Sequence, residues 1–404
     1  MKKKNNKVIG MIVHNNYVTD SRVRRYAEAL VDNGYNVDVI ATKYFNKRLV
    51  YQINKVKIYQ IPFRKNRGNV INYLFEYIIF FFLGTLFLTI LFFKKKYRVI
   101  HVHNMPDFLV FSAIFPKLFG VKVILDIHDP FPELFATKYK SKNNGLTIKL
   151  LNYEEKVSIK FADHLIATTD LIKSRLMQKD LEAHKICTIL NSPDSNLFKP
   201  SFLQKNISPK QKKNFILLYA GMMAKRNGLE NVVNSLPFLI DKIPNIRYRV
   251  VGDGDYDYID EIKKVAKSLE IQNFVEIHPF KAIEQIPDEI IKADAVVWLP
   301  ARNEFIDIVL SVKTLEALIM GKPVLTIETK CHEYYFDNEK ILYVKSCDKI
   351  QIANAIIELY ENYEKYKPSK SDIDRLRAKF NWNAEKQKYY HLISELIDRV
   401  NQIE

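Results

Sequence analysis

The sequence predicts an α/β protein with two doubly wound domains, each built on a parallel β-sheet that helices cover on both faces. Two observations support this fold class. Short apolar runs alternate with longer amphipathic runs along most of the 404 residues, which is typical of parallel sheets. The alternation stops in a polar, lysine-bearing stretch near 200–213 and then starts again, so we expect two domains of ordinary size.

The first series opens with a short strand and an amphipathic helix. VIGMIV (8–13) is predicted to be a buried strand, because it is shorter than the roughly 7–15 apolar residues of a secretion signal. Residues 20–34 place apolar side chains at helical spacing from Val23 onward, and Gly34 is placed to end that helix. The other strands predicted in this series are 37–41, 98–103, 121–128 and 164–168.

The second series repeats the same pattern after the polar stretch. Its predicted strands are 215–221, 248–252, 274–278, 295–300 and 323–327. Its predicted helices are 228–240, 258–269, 284–291 and the stretch SVKTLEALIM (311–320), with further helices to the C-terminus. Gly321 and Pro323 are placed to stop the last of these named helices.

The composition is that of a folding chain with an excess of positive charge. The formal net charge is +16, which favours an anionic partner such as a membrane surface or a phosphorylated substrate, with solvated surface lysines as the alternative. Nucleic-acid binding is not expected, because no known module and no basic–aromatic interleaving is present. The three cysteines are scattered, so we expect no disulfide framework, no thiolate metal site and a reducing cytoplasmic location.

One apolar segment interrupts the alternation. YIIFFFLGTLFLTILFF (77–93) carries no charge and ends at Lys94–Lys96. A spanning helix needs about 20 apolar residues, in a range of roughly 17–25, so length alone leaves spanning open. Spanning would place strands of one sheet on opposite sides of a membrane. We therefore expect a helix that stays on its sheet and dips into one leaflet with its lysines at anionic headgroups; a wholly buried helix is the alternative.

Polar residues follow several predicted strands at the position where such sheets bind ligands. Lys225 and Arg226 lie in the loop after strand 215–221, where cations suit a diphosphate; two exposed basic residues are the alternative. His128 and Asp129 end another strand, where a polar pair would face the cleft between the domains. A structural histidine is the alternative there.

The acidic run DGDYDYID after strand 248–252 is interpreted as a solvated turn. Gly252 and Gly254 are not followed by the third glycine of a dinucleotide-binding fingerprint. We do not expect Asp253 and Asp255 to bind a metal.

The helix at 311–320 carries a lysine and an acid among apolar residues. Lys313 and Glu316 are three positions apart and therefore lie on one side of the helix. The backbone amides of Val309, Leu310 and the residues up to Val312 would form an anion cradle at the helix N-terminus. Glu316 is suited to accept two ribose hydroxyls, with Lys313 nearer the phosphates. The alternative is a solvent-facing pair worth a few tenths of a kcal/mol, which the apolar neighbours of Glu316 disfavour.

Taken together, these segments resemble glycosyltransferase family 4 and its relatives, retaining sugar-nucleotide transferases of the GT-B fold. The resemblance covers essentially the whole chain and depends on the order and spacing of its motifs. The matching segments are TDSRVRRYAEALVDNGYNVDVI, LDIHDPFPELF, ILNSPDSNLFKP, YAGMMAKRNGLENVV, VVGDGDYDYIDEI, KTLEALIMGKPVL and FNWNAEKQKYY.

The resemblance implies a GT-B architecture of two Rossmann-like domains that face each other across a cleft. Residues 1–200 would form the acceptor-side domain with the apolar segment, and residues 201–379 the nucleotide-sugar domain. Residues 380–404 would form a C-terminal helix that crosses back to the first domain.

The resemblance also implies roles for individual residues. Glu316 would hold the nucleotide ribose, Arg226 with Lys225 the diphosphate, and backbone near Phe280 and Lys281 the base. His128 would contact the donor sugar. No metal or other cofactor is expected, because helix dipoles and basic side chains stabilise the leaving diphosphate. The acceptor hydroxyl would attack on the face that the diphosphate leaves, without a protein nucleophile.

The chain departs from the family pattern at three places. The first acid of the family's Glu-x7-Glu motif falls on Ile308, so Asp307, one residue away, is the possible substitute. Met222 stands where an arginine usually follows the strand-end glycine, and Asn227 stands where a lysine is common. These changes affect the donor-sugar contacts more than nucleotide binding.

The predicted function is transfer of a sugar from a UDP- or GDP-linked donor, with retention, to a cell-surface or lipid-linked glycan. The enzyme would act at the cytoplasmic face of the membrane. A non-catalytic partner subunit of a glycan-synthesis complex is the main alternative, motivated by Ile308 and Met222. An epimerase on the same fold is disfavoured by the apolar segment and by the lack of a clear acid–base set.

Overall fold

The computed structural model describes residues 7–44, 48–62, 70–139, 145–200, 209–336 and 340–401. The chain divides into two compact units, Met1–Asn191 with Asn383–Glu404 and Ser192–Trp382. The division therefore falls a short way before the boundary expected after residue 200.

The first unit is built on an eight-stranded sheet with the order β3-β4-β2-β1-β5-β6-β7-β8. Its strands are β1 (Val8–Val13), β2 (Asn36–Thr42), β3 (Val50–Ile53), β4 (Val56–Ile61), β5 (Val99–His103), β6 (Lys122–Ile127), β7 (His164–Ala167) and β8 (Ile186–Thr188). Neighbouring strands are parallel, except that the edge strand β3 is antiparallel to β4. The expectation of a wholly parallel first sheet is wrong at this edge.

Helices of the first unit fill the connections between these strands. They are α1 (Ser21–Asp32), α2 (Val70–Lys95), α3 (Ile114–Leu118), α4 (Phe131–Tyr139), α5 (Leu146–Phe161) and α6 (Asp170–Met177), with 3-10 turns at Asp107–Ala113 and Ala183–Lys185. Asp20 caps α1 by accepting a hydrogen bond from the Val23 N–H. This cap fixes the start of the helix directly after the loop that follows β1.

Helix α2 contains the apolar segment predicted at 77–93 and buries only one of its sides. The buried side comprises Glu76, Phe80, Gly84, Leu88, Leu91 and Phe92. The large apolar side chains that remain exposed on this helix are Leu74, Phe75, Ile78, Ile79, Phe82, Leu86, Ile90 and Phe93. By length and composition Leu74–Lys95 could cross a membrane. The alternative of a wholly buried helix is wrong, because an apolar side faces outward.

Helices α1 and α2 lie on opposite faces of this sheet. On α2, a Cβ at Gly84 would lie 2.8 Å from Cδ1 of Ile12, so the helix backbone touches that face of β1 closely. Ile12 is in register with Val102, and His101 precedes Val102 on β5. Because side chains alternate along a strand, His101 points to the other face. There its ring packs edge-on against Tyr26 of α1, with centroids 5.3 Å apart.

The second unit is built on a six-stranded parallel sheet with the order β11-β10-β9-β12-β13-β14. Its strands are β9 (Phe215–Ala220), β10 (Ile246–Val251), β11 (Val275–His278), β12 (Ala295–Trp298), β13 (Val324–Ile327) and β14 (Ile341–Val344). This is the doubly wound arrangement that the sequence predicts.

Helices alternate with these strands and continue beyond the last one. They are α7 (Leu229–Ser235), α8 (Tyr256–Ser268), α9 (Ile286–Lys292), α10 (Glu304–Ile308), α11 (Val312–Ile319), α12 (Lys330–Tyr335), α13 (Lys349–Glu361), α14 (Tyr363–Tyr366) and α15 (Lys370–Lys379). Helix α7 is shorter than the predicted 228–240, because Pro237 has no N–H to continue it and the chain turns as a 3-10 helix instead.

The last helix, α16 (Trp382–Asn401), packs within the first unit. The hydroxyl of Tyr389 lies 2.8 Å from Nδ1 of His101. The carboxylate of Glu385 accepts a hydrogen bond of 2.9 Å from the N–H of Leu190. Leu392 and Leu396 are buried. The chain therefore returns to its first sheet after completing the second.

Candidate active site

The predicted His128 and Asp129 follow the C-terminal end of β6, beside a buried ion pair. Asp126, the penultimate residue of that strand, accepts hydrogen bonds from Nε (3.0 Å) and Nη2 (2.9 Å) of Arg22. Both side chains are almost wholly buried. Arg22 lies in the first turn of α1, so the helix start after β1 delivers a cation to the end of β6.

Three histidine nitrogens surround the same carboxylate. Oδ2 of Asp126 lies 2.9 Å from Nε2 of His128, 3.3 Å from Nδ1 of His103 and 3.6 Å from Nε2 of His101. Burial would raise the pKa of Asp126, but Arg22, followed by His128, holds it well below its ordinary value. Burial lowers the pKa of His101 and of His103. Asp126 is therefore ionised and both buried histidines are neutral at pH 7.

The carboxylate among the potential metal ligands of this cluster is already engaged by Arg22. His101, His103 and Asp126 offer ligand atoms within 4.8 Å of one another. The Arg22 guanidinium, however, donates to both oxygens of the carboxylate, and a second cation there would meet its repulsion. We interpret the cluster as an ion-pair and hydrogen-bond network.

The network and its neighbours fix the orientation of His128. Its backbone N–H donates to Oδ1 of Asn104 (2.9 Å), and its carbonyl accepts from the hydroxyl of Thr168 (3.0 Å). Because the carboxylate of Asp126 is ionised, Nε2 of His128 carries the proton of their shared hydrogen bond. The side chain of His128 keeps 19% of its surface exposed, whereas that of Asp126 is fully buried. Asp129 contributes its carbonyl, which accepts from Nδ2 of Asn104 (2.8 Å).

The second group of predicted residues surrounds the carboxyl ends of β9, β10 and β12. Glycines bring these loops together: a Cβ at Gly252 would lie 1.9 Å from the carbonyl oxygen of Gly221, and one at Gly228 would lie 1.9 Å from that of Leu299. Gly228 also has φ +69°, which favours glycine. A Cβ at Gly254 would likewise lie 1.9 Å from the carbonyl oxygen of Met223, so Gly252 and Gly254 serve close backbone packing.

Lys313 projects from the first turn of α11 toward the end of β9. Its Nζ lies 5.4 Å from the ring centroid of Tyr219 and 5.7 Å from that of Trp298, at cation–π distances. Its side chain also lies against Gly221. Glu316, one turn further on, is only 8% exposed, as its apolar neighbours predict. Ser311 caps the helix by accepting from the Thr314 N–H.

The basic loop after β9 lies beside the same tyrosine. Lys225 and Arg226 belong to a 3-10 turn at Lys225–Asn227. The hydroxyl of Tyr219 donates to the carbonyl of Met222 (2.6 Å), and Nη2 of Arg226 lies 3.3 Å from Sδ of the same Met222. Lys225 instead pairs with Glu261 of α8 at 3.3 Å and is mostly exposed.

The remaining predicted donor residues have their own partners or lie in connections. Lys281 pairs with Glu289 at 2.6 Å, and Phe280 beside it is exposed. The carboxylate of Asp307 accepts from Nε of Arg302 at 2.8 Å. Val309 and Leu310 form the half-buried connection between α10 and α11.

Comparisons with solved structures define the fold of this protein. Sucrose-phosphate synthase from Thermosynechococcus elongatus superposes with a TM-score of 0.75 at 18% identity, over 97% of this chain and 100% of that one. Anabaena Alr3699/HepE in complex with UDP and glucose gives a TM-score of 0.71 at 16% identity, over 96% and 100%. WaaG, a glycosyltransferase involved in lipopolysaccharide biosynthesis, gives 0.68 at 14%, over 95% and 99%. The fold is therefore GT-B, as predicted.

Two family models match the chain and identify its family. The model for Glycosyltransferase Family 4 matches residues 20–196, and the model for Glycosyl transferases group 1 matches residues 201–377. The chain belongs to the family 4-like glycosyltransferases, which confirms the family predicted from the sequence. A search of curated protein sequences gave no match.

Proposed function

We propose that this glycosyltransferase moves a sugar from a nucleotide-sugar donor to a lipid-linked or cell-surface glycan, with retention of the anomeric configuration. The observation that carries the proposal is the position of Lys313. Its ammonium group is held over two aromatic rings beside Gly221, at the strand ends of a doubly wound sheet. Solved GT-B neighbours from Anabaena contain UDP or UDP-glucose, which supports a nucleotide-linked donor.

In this proposal the donor diphosphate lies at the N-terminus of α11. The first N–H groups of the helix lack partners inside it and favour an anion. Lys313 and Arg226 would supply the neutralising cations, with Lys225 at the rim. Glu316 would accept the ribose hydroxyls from its buried position one turn further along. The backbone at Phe280 and Lys281 would contact the base. The side chain of Lys281 is paired with Glu289, so its backbone is the part that would make this contact.

The reaction would need no group from the protein to attack the sugar. The bond from the acceptor oxygen to the anomeric carbon forms as the bond from that carbon to the diphosphate oxygen breaks. The proton of the acceptor hydroxyl passes to the departing phosphate. Lys313 and the amides of Val309 and Leu310 would stabilise the charge that develops on the leaving group. Asp307, which belongs to the same unit as Lys313, would position the sugar, and the proposal invokes no bound metal.

The proposal includes a membrane surface as the place of reaction. Helix α2 presents apolar side chains on its outer side, while its inner side packs on the sheet. Such a helix can lie in the plane of one leaflet, which favours docking over spanning. Lys94 and Lys95 at its last turn would face anionic lipid on the cytoplasmic side.

A donor panel tests the proposal. The purified chain is mixed with UDP- and GDP-sugars, its melting temperature is followed, and transfer to a membrane extract is assayed with identification of the product anomer. We expect one donor class to raise the melting temperature and to give a product of unchanged anomeric configuration. Inversion would contradict the mechanism.

The non-catalytic partner subunit remains the second candidate function. Asp307, the possible substitute for the acid missing at Ile308, has its charge neutralised by Arg302, which favours this alternative. If no nucleotide-sugar shifts the melting temperature and no transfer or hydrolysis is detected, the alternative replaces the enzyme.

A further inference from the structure

A basic groove of about 420 Å³ opens at the amino ends of strands in the first unit's sheet. Lys122 begins β6, Asp163 directly precedes β7, and Lys185 directly precedes β8. His128 follows the opposite end of β6. A strand of six residues spans roughly 20 Å, so this groove is separate from the candidate active site.

The wall of the basic groove carries five cations and one carboxylate. The cations are Lys117, Lys122, Lys160, Lys185 and Arg399. The carboxylate of Asp163 already has protein partners, because it accepts hydrogen bonds from Nζ of Lys117 (2.6 Å) and from the N–H of Val123 (2.8 Å).

Two acids outside the wall reduce the charge of the groove without cancelling it. Lys185 pairs with Glu182 and Arg399 pairs with Glu395, both at exposed positions, where ion pairs are weak and exchange readily. Within the part of the chain that the structure describes, no carboxylate lies at ion-pair distance from Lys122 or Lys160. The five cations of the wall thus have three carboxylate partners among the described residues. This leaves an excess of positive charge, which a phosphate group can balance.

The basic groove borders a continuous apolar surface. Lys117 lies on α3, whose last residue Leu118 is 76% exposed, and Phe119 directly after the helix is 63% exposed. The ring of Phe119 contacts those of Phe92 and Phe93 at the end of α2, with centroids 5.8 and 5.5 Å apart. The exposed side of α2 therefore continues through α3 to the edge of the groove.

We propose that the basic groove binds the phosphate of an anionic phospholipid headgroup while the side chains of α2 and α3 lie among the acyl chains. This inference rests on the membrane docking in the proposed function and adds a specific lipid site to it. A basic pocket at the rim of an apolar surface matches a lipid, which carries its phosphate directly above its hydrocarbon. A free phosphate ion has no apolar part that would contact the residues bordering the groove.

Vesicle binding by the full chain tests the site. The protein is mixed with vesicles of phosphatidylcholine alone or of phosphatidylcholine with phosphatidylglycerol, and the bound fraction is measured by flotation. The variant K122Q/K160Q removes the two lysines that have no carboxylate at ion-pair distance among the described residues, and K263Q/K264Q removes the same charge from exposed positions of α8. Each lysine near an anionic surface is worth about 1 kcal/mol, so we expect the first variant to bind phosphatidylglycerol vesicles about 30-fold more weakly.

The other arms separate this inference from the proposed function. We expect K263Q/K264Q to bind like the wild type, and K122Q/K160Q to keep wild-type binding to phosphatidylcholine and an unchanged melting temperature. Equal losses in the two variants would indicate general charge attraction and overturn the site. The site would also be overturned if inorganic phosphate displaced the protein from vesicles and raised its melting temperature. If the wild type binds no vesicles, membrane docking itself fails along with the site, whereas the donor panel still tests the transferase.

Discussion

Asp126 carries its charge in a place that water does not reach, and the residues that permit this come from distant parts of the chain. Its partner Arg22 is 104 positions away, and His101 and His103 come from the neighbouring strand. His128 at the end of this strand was predictable from the sequence, whereas the buried Arg22, His101 and His103 behind it were not. Polar residues at alternate positions of the apolar run RVIHVH were the available signal. Their partners depend on strand order, which one sequence does not reveal.

The donor-side residues were easier to predict, because their signal is local. Lys313 and Glu316 lie on one helix, and the glycine and proline that end it are visible in the sequence. The burial of Glu316 follows from its apolar neighbours. The cation–π contacts of Lys313 with Tyr219 and Trp298 were not predictable, since they join three separate elements.

At Glu316 we predict a loss of nucleotide affinity on substitution. Glu316→Gln keeps the shape of the side chain but removes the charge that would accept the ribose hydroxyls. We expect UDP or GDP to bind about 1.5–3 kcal/mol more weakly, the usual value for a hydrogen bond to a charged group. Isothermal titration calorimetry measures this, with the exposed Glu364→Gln as control. An unchanged dissociation constant would remove Glu316 from the site.

At His332 we predict a pH dependence of stability. Burial lowers its pKa from 6.5 to about 4, so the native state holds it neutral where the unfolded chain would protonate it. Its contribution is complete above pH 6.5 and is lost as the pH falls toward 4, in total about 3 kcal/mol.

Urea unfolding of the chain between pH 7 and pH 4 measures this dependence. The variant His332→Gln should unfold with a shallower pH slope, whatever its stability at pH 7. The exposed His391→Gln serves as the control and should keep the wild-type slope. Identical slopes in all three proteins would contradict the prediction.

At the scale of single elements, helices α1, α8 and α11 and most buried parallel strands were predicted close to their observed bounds, whereas helix α5, strand β4 and the short edge strands were missed. Strands β3 and β4 form a hairpin whose two loop residues, Asn54 and Lys55, have φ of +48° and +66°. The usual Asn-Gly signal for such a turn is absent. Strands β8 and β14 are only three and four residues long. They form because a neighbouring strand offers an open edge, which local sequence does not show.

Helix α2 allows a test with two leucines that lie two positions apart. Leu86 is 54% exposed, whereas Leu88 is fully buried. We expect Leu86→Ser to weaken binding to phosphatidylcholine vesicles about 10-fold or more, because burial of a leucine side chain is worth roughly 1.5–3 kcal/mol, with little change in melting temperature.

The matched substitution Leu88→Ser should give the opposite result. We expect it to lower the melting temperature by removing core packing, at a cost of roughly 2–5 kcal/mol, while folded protein keeps its vesicle affinity. Equal effects of the two substitutions on vesicle binding would argue against a lipid-facing side of α2.

At the scale of the whole molecule, the chain order and the structural units do not coincide. The first unit is completed only when α16 returns to it, after the whole second unit has been formed. Tyr389 joins His101 and Tyr26 in the core of the first unit. The family resemblance at FNWNAEKQKYY predicted this return, whereas periodicity alone predicted only a helix.

Removal of α16 should therefore destabilise the unit at the other end of the chain. A chain ending at Lys379 loses the buried Tyr389, Leu392 and Leu396, and we expect amides of β1 and β5 to lose protection in hydrogen exchange. Tyr389→Phe, which removes only the hydrogen bond to His101, should cost about 1 kcal/mol. Full protection of β1 and β5 in the shortened chain would contradict this dependence.

The close approach of Gly84 to Ile12 has a practical consequence for handling the protein. Deleting residues 77–93 to avoid detergent would also remove Phe80 and Leu88, which fill the interior beneath β1. Recoding only the outward positions, for example Phe82 and Leu86 to glutamine, would leave that interior intact. A Cβ at Gly84 would lie 2.8 Å from Cδ1 of Ile12, so a larger residue there requires the Ile12 side chain to move.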